Sequence, residues 1–348
     1  MSNYIPNYQN VHNRFKLNGF HLNTDDLKRV AFSFIKEGDD FEKPVGDFIL
    51  DWFDSSDSIA LETSGTTGAP KTLFVKKDAL INSALATGDF FNLAPGNTML
   101  NCLPIRYVAG KMMFIRAFIL GLEMDFVAPS ANPLVDVDKK YDFVALVPFQ
   151  AENSIDQLSF FKTVIIGGAK VSPELEKKLN PIKSNIFETY GMTETITHIA
   201  VRKLGESTFK AFPNVSLSQD ENKCLLIKAP YITEDIIHTN DIVDLVSADE
   251  FVFLGRIDNV INSGGIKLIP EQIEDKLAPF ITNRFFITGK ENTKYGEHPV
   301  LVVEGEEKTI DLSDITTLDK YEKPKEIIFI NKFKETASGK ILRKESLA

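Results

Sequence analysis

Ser58-Ile59-Ala60-Leu61-Glu62-Thr63-Ser64-Gly65-Thr66-Thr67-Gly68-Ala69-Pro70-Lys71-Thr72-Leu73-Phe74-Val75 places a glycine- and threonine-rich loop between two short runs of strand character. Glycines let backbone N–H groups close on an oxyanion, hydroxyls donate further bonds, and a lysine adds charge, so this composition suits a phosphate. It also fits an ordinary polar hairpin loop. A P-loop requires glycine immediately before its lysine, and Pro70 stands there instead. The segment also runs on into a strand and not into a phosphate-binding helix, which removes the Walker reading.

Outward from the loop, strand-like runs alternate with helical patterns. Thr24 is expected to cap a helix with Leu27, Val30, Ala31, Phe34 and Ile35 on one face. Asp78 is expected to cap a second helix running to about Phe91. Thr98 to Leu103, Met124 to Val127, Phe143 to Val147 and Thr163 to Ile166 read as strands, several apolar throughout, as in strands covered on both faces. Ser172-Pro173 begins another helix with a hydroxyl cap and a proline in the first turn. This is an α/β pattern with a mostly parallel sheet. From about Asn259 the character changes: a glycine turn, a helix from Pro270 to Leu277, and β-rich pieces at Phe285 to Ile287, Val300 to Val303 and Ile327 to Ile330. The expected partition is residues 1–257 as a large α/β domain and 258–348 as a small α+β domain.

Composition narrows the class. Hydrophobic residues are 43% and charged residues 25% of the 348, which excludes general disorder and a membrane bundle. The apolar run Met112 to Leu122 is broken by Arg116 and falls short of the roughly 20 residues that cross a bilayer. No signal-peptide pattern opens the chain, so a cytoplasmic location is expected. Two cysteines, Cys102 and Cys224, exclude a disulfide framework. A net charge of −10 argues against general binding of nucleic acid or anionic membrane. The five histidines show no metal-ligand spacing.

Further motifs follow the loop in order: Gly167-Gly168-Ala169, Tyr190-Gly191-Met192-Thr193-Glu194-Thr195, Thr239-Asn240-Asp241, Gly255-Arg256-Ile257-Asp258, Ser263-Gly264-Gly265-Ile266-Lys267 and Thr336-Ala337-Ser338-Gly339-Lys340. Together with Thr63 to Lys71 this set resembles the adenylate-forming superfamily of acyl-CoA synthetases, peptide-synthetase adenylation domains and luciferases. The resemblance implies two half-reactions. A carboxylate attacks the α-phosphate of ATP and expels pyrophosphate, and a thiol, here of CoA, then displaces AMP. Crowding one anion against another calls for cations and backbone donors around the phosphates, with Mg²⁺ as the expected metal.

Residue by residue, the resemblance implies that Ser64, Gly65, Thr66, Thr67, Gly68 and Lys71 hold the β- and γ-phosphates. Gly168 and Ala169 would wall the adenine, Tyr190 would stack on it, and Gly191 belongs to the same motif. Thr193 would bond the α-phosphate and Glu194 would ligate Mg²⁺. Asp241 and Arg256 would contact the ribose, although Asn240 stands where the family usually has glycine. Lys340 would bridge carboxylate and phosphate during adenylation. Asp258 would be the hinge of the small domain, whose rotation brings Gly264, Gly265 and Lys267 to line the CoA tunnel.

The chain is short for this family, with its glycine loop already at residue 63. That compactness, with Leu103-Pro104-Ile105-Arg106-Tyr107-Val108-Ala109-Gly110-Lys111 and Thr195-Ile196-Thr197-His198, is similar to the short bacterial o-succinylbenzoate–CoA ligases of menaquinone synthesis. That acid keeps a second carboxylate, and a cation in the acyl pocket selects for it; Arg106 and Lys111 are the candidates, with His198 as a further lining residue. Two alternatives stand beside this expectation. One is an adenylation protein that loads an acid onto a carrier-protein thiol; the other is a degenerate nucleotide-binding protein.

Overall fold

The computed structural model describes residues 5–62, 72–293, 296–312, 315–336 and 341–347. The glycine loop Thr63 to Lys71 and Lys340 therefore lie outside the described residues.

Among the described residues the strands form a 13-stranded sheet, a five-stranded sheet and a two-stranded hairpin. The large sheet has a parallel half in which Glu123–Phe126, Thr98–Asn101, Tyr141–Leu146, Phe161–Ile166 and Asn185–Gly191 lie side by side. Beyond Asn185–Gly191 every ladder is antiparallel, through His198–Lys203, Phe209–Ala211, Glu250–Arg256, Ile237–Leu245, Cys224–Lys228 and Ser216–Gln219. The α/β class stands, but the sheet is mixed where a mostly parallel one was expected. Short connections join most of the paired strands after Gly191, and only a long crossover permits a parallel return; Phe209–Ala211 and Glu250–Arg256, far apart in the chain, pair antiparallel as well.

The parallel half is buried on both faces. One face packs on Val108–Leu120, a helix apolar nearly all round and so enclosed by neighbours. Its Phe114 and Phe118 meet Phe48, Phe126, Phe15 and Phe53 at ring-centroid distances of 5.1 to 6.0 Å. The opposite face carries Leu100, Val144, Leu146, Val164 and Ile166 under the helix Pro173–Leu179. Ser172 caps that helix, accepting from the Leu175 amide at 3.1 Å, as its sequence predicts.

Two caps differ from expectation. Asn23, not Thr24, caps Thr24–Glu37: its Oδ1 accepts from the Asp25 and Asp26 amides while Asp26 accepts from the Asn23 amide. This reciprocal box satisfies three donors, and Thr24 instead donates to the Gln9 carbonyl. Asp78 lies within the first turn of Lys77–Phe91, whose cap is Lys76. The hairpin Ser58–Glu62 with Thr72–Lys76 flanks the glycine loop as predicted. It is pinned below by the buried Lys77 ammonium, which reaches Asp54 at 2.6 Å.

The five-stranded sheet is drawn wholly from residues 261–330. Alternation along Gly296–Glu304 sends Leu301 and Val303 toward Ile273 and Leu277 of the helix Pro270–Leu277, and Val300 and Val302 toward Phe286 and Phe333 on the other face. No described helix is long and apolar enough to cross a membrane.

Candidate active site

Interior strands of the large sheet carry several predicted residues. Tyr190 ends a strand whose alternation turns it inward, 9% exposed, with its ring edge-on to Phe251 and Phe209. Its hydroxyl donates to Asp241 Oδ2 at 2.6 Å. Asp241 lies on Ile237–Leu245, directly opposite Arg256 in the antiparallel ladder. Arg256 Nη1 donates to Asp241 Oδ1 at 3.0 Å, and its Nη2 to Asp258 Oδ2 at 2.7 Å. Asn240 Nδ2 also donates to Asp258, at 3.1 Å. Tyr190, Asp241, Arg256 and Asp258 thus form one hydrogen-bonded chain.

The electrostatics follow the geometry. Burial first, and then the Asp241 carboxylate, push the Tyr190 phenol upward, so it remains a donor. Burial works to raise Asp258, but the hydrogen bonds and charge of Arg256, the Asn240 amide and the charge of Lys344 outweigh it and hold the carboxyl below its ordinary value. Asp241→Ala takes the acceptor from the buried Tyr190 phenol and one of two carboxylates from Arg256, and is expected to cost about 2 kcal/mol of stability in urea unfolding. An unchanged midpoint contradicts this.

Gly167-Gly168-Ala169 leaves Phe161–Ile166 beside that strand, since Ile166 pairs with Glu188. Lys170 then reaches Asp275 of Pro270–Leu277 at 2.6 Å. Thr193 and the exposed Glu194 lie on the turn after Gly191, held from inside by Thr195, which is fully buried. Thr195 Oγ1 accepts from the Met192 amide at 2.8 Å and lies 2.7 Å from the Thr197 carbonyl. Ile196, φ +65°, is the centre of a three-residue turn closed by Thr197 N–H to Thr195 O at 2.7 Å, a strained geometry for a β-branched residue.

Ser263 and Ile266 pair across a two-residue turn at Gly264-Gly265, with φ +59° and +82°. Two successive positive φ values define a primed hairpin turn, for which glycine is suited. Both glycines and Lys267 are exposed.

The three residues expected around the acid are placed apart. Arg106 is exposed and donates from Nε to Glu62 Oε2 at 2.8 Å, beside the start of the glycine loop. Lys111 donates to the Ala60 carbonyl at 2.9 Å, and burial lowers its pKa despite Asp51 and Glu62. Neither offers an unpartnered buried cation. His198 is buried: Nε2 lies 3.3 Å from Thr87 Oγ1, Nδ1 lies 3.3 Å from Thr197 Oγ1, and its ring stands edge-on to Phe212.

Beside it is the residue the sequence reading passed over. Arg116 is 2% exposed within Val108–Leu120, and its contacts are Thr197 Oγ1 at 3.4 Å and Met113 Sδ at 3.7 Å. Its Nε has no partner, and no carboxylate pairs with it among the described residues. Burial pushes the guanidinium down to about 9. The signal was present in the sequence as a lone charge inside an apolar run. Burial, then the Arg116 charge, hold His198 well below its ordinary value, so the ring is neutral. Its ring resonances are expected not to titrate in the ordinary imidazole range; a midpoint near 6.5 contradicts this burial.

Magnesium at a nucleotide needs few protein ligands, because phosphates and waters supply the rest. Among the described residues no cluster of three metal-ligating side chains occurs. The exposed Glu194 carboxylate fits a single-ligand arrangement.

The sequence model of the AMP-binding enzyme family matches residues 52–220. An acyl-CoA synthetase (AMP-forming)/AMP-acid ligase II-like protein from Dyadobacter fermentans is 32% identical, with 92% of this chain and 97% of that one covered and a TM-score of 0.62. The chain belongs to the AMP-binding enzymes and is an AMP-forming acid–CoA ligase by class. Among named relatives it is similar to 2-succinylbenzoate–CoA ligase of Listeria monocytogenes, 27% identical over 90% of this chain and 74% of that protein. The o-succinylbenzoate coenzyme A synthetase of Bacillus subtilis, solved in complex with ATP and magnesium ion, has the same fold at a TM-score of 0.72 and 18% identity, with 94% and 82% covered.

Proposed function

We propose that the chain activates o-succinylbenzoate, or an aromatic acid of the same dicarboxylate class, and passes the acyl group to CoA. The observation that carries the choice of acid is Arg116: a buried guanidinium with no carboxylate paired to it among the described residues, beside a neutral histidine and two threonine hydroxyls, suits a ligand that brings its own anion. The named relatives support the same acid. In the first step a carboxylate oxygen bonds to the α-phosphorus and the bond to pyrophosphate breaks. In the second, the CoA thiolate bonds to the acyl carbon and AMP leaves.

In this reading Ser64 to Gly68 with Lys71 hold the leaving phosphates, Thr193 steadies the α-phosphate and Glu194 holds Mg²⁺, which neutralises phosphate charge when bound. Gly168, Ala169 and Tyr190 border the base, while Asp241 and Arg256 face the ribose. Lys340 joins the two anionic reactants. Residues 258–348 form the unit that turns about Asp258, and Gly264, Gly265 and Lys267 then border the pantetheine.

Purified protein with ATP, Mg²⁺, CoA and o-succinylbenzoate is expected to yield AMP, pyrophosphate and an acyl-CoA. Formation of ADP overturns the mechanism. A panel in which benzoate and straight-chain acids release pyrophosphate as well as o-succinylbenzoate does overturns the acid. Thioester found only on a carrier protein overturns CoA as acceptor.

A further inference from the structure

Glu271 is buried, yet only half of its carboxylate is satisfied. Oε1 accepts from Asn259 Nδ2 at 2.5 Å and lies 3.4 Å from Arg343 Nη2; Oε2 has no hydrogen-bond partner among the described residues. Oε2 rests against Gly255, where a Cβ would collide with it. The side chain thus touches both ends of the Gly255–Asn259 turn from the helix Pro270–Leu277. On its other side Arg343 is held firmly: it donates to the Ile287 carbonyl at 2.8 Å, pairs with Glu274 at 2.7 Å and lies over the Phe286 ring. The residues around Arg343 are tied in turn, Leu342 N–H donating to the Lys334 carbonyl at 2.8 Å and Lys334 N–H to Ser346 Oγ at 2.9 Å.

A buried carboxylate oxygen without a donor is costly, and its retention calls for a purpose. We propose that Glu271 is a positioning residue for adenylation: it ties the Gly255–Asn259 turn to Arg343 and so holds the C-terminal segment in place relative to the Tyr190–Asp241–Arg256 cluster. The free Oε2 is a spare acceptor for the N–H groups of that turn when its arrangement changes. This deepens the ligase reading and rests on it for its kinetic consequence.

The test uses the intact protein with Glu271→Met, Arg343→Met and the double variant. Amide hydrogen exchange in residues 333–336 and 341–347 is expected to quicken about tenfold in each single variant, with the parallel half of the large sheet unchanged. Pyrophosphate release is expected to fall about tenfold in kcat with KM for ATP and acid within about twofold, and thioester formation from supplied acyl-adenylate to stay within about twofold. The double variant is expected to be no worse than the poorer single one, since one tie is lost only once. Unchanged exchange, equal losses in both half-reactions, or additive losses overturn the proposal. A wild-type protein that releases no pyrophosphate with any acid sinks the ligase reading, and the exchange measurement then decides the tie by itself.

Discussion

Arg116→Met raises KM for o-succinylbenzoate by about 100-fold, as expected for truncating one member of a buried charge pair, and makes the ligand-free protein more stable. The two effects have one cause. Without ligand, Arg116 is a cation withdrawn from water and compensated, among the described residues, only by Thr197 and a thioether. Methionine has similar length and packs among Met113 and the surrounding apolar side chains without a charge to bury. Replacing uncompensated buried charge by an apolar side chain is expected to add about 1–4 kcal/mol in denaturant unfolding. With a dicarboxylate bound the balance reverses, because the substrate's second carboxylate is left desolvated against an apolar wall. Benzoate lacks that group, and its KM is expected to change less than about threefold. A stability loss, or equal KM changes for both acids, removes Arg116 from the acid site.

Lys340→Ala is expected to slow adenylate formation by about 100- to 1000-fold while thioester formation from supplied acyl-adenylate changes by less than about threefold. Adenylation brings a carboxylate against a triphosphate, and a cation bridging the two acts most strongly as the new bond spreads charge over the α-phosphate oxygens. In the second half-reaction the acyl carbon is already activated and the nucleophile is a single thiolate, so the same cation has little left to stabilise. Rapid-quench measurement of pyrophosphate, set beside a thioester assay begun from acyl-AMP, separates the steps. Equal losses in both remove Lys340 from the role proposed for it.

Much of the architecture was legible in the residues. Pro270–Leu277, the hairpin around the glycine loop and the parallel strands follow from apolar runs, proline placement and glycine turns, which are local properties. The antiparallel half was not legible, because short apolar runs pair either way and only the connections decide. Asn23 escaped for a similar reason: Asn23 and Thr24 both suit a cap, and the long-range bond from Thr24 to Gln9 settles which of them serves.

The candidate site divides along the same line. Its chemistry was set by residue types in order: a hydroxyl- and glycine-rich loop, an acid after a threonine, a lysine near the end. Those features persist however the chain is packed, because they belong to the side chains themselves. Which cation is buried was decided only in three dimensions. Arg106, Lys111 and Arg116 are alike as charges in one short segment, but the direction each Cα–Cβ bond takes from the chain sends the first to Glu62 at the surface, the second to the Ala60 carbonyl and the third into the core beside His198. Helix packing against the sheet, which no local run of residues encodes, converts that difference in direction into a difference in dielectric surroundings and hence in what each charge can bind.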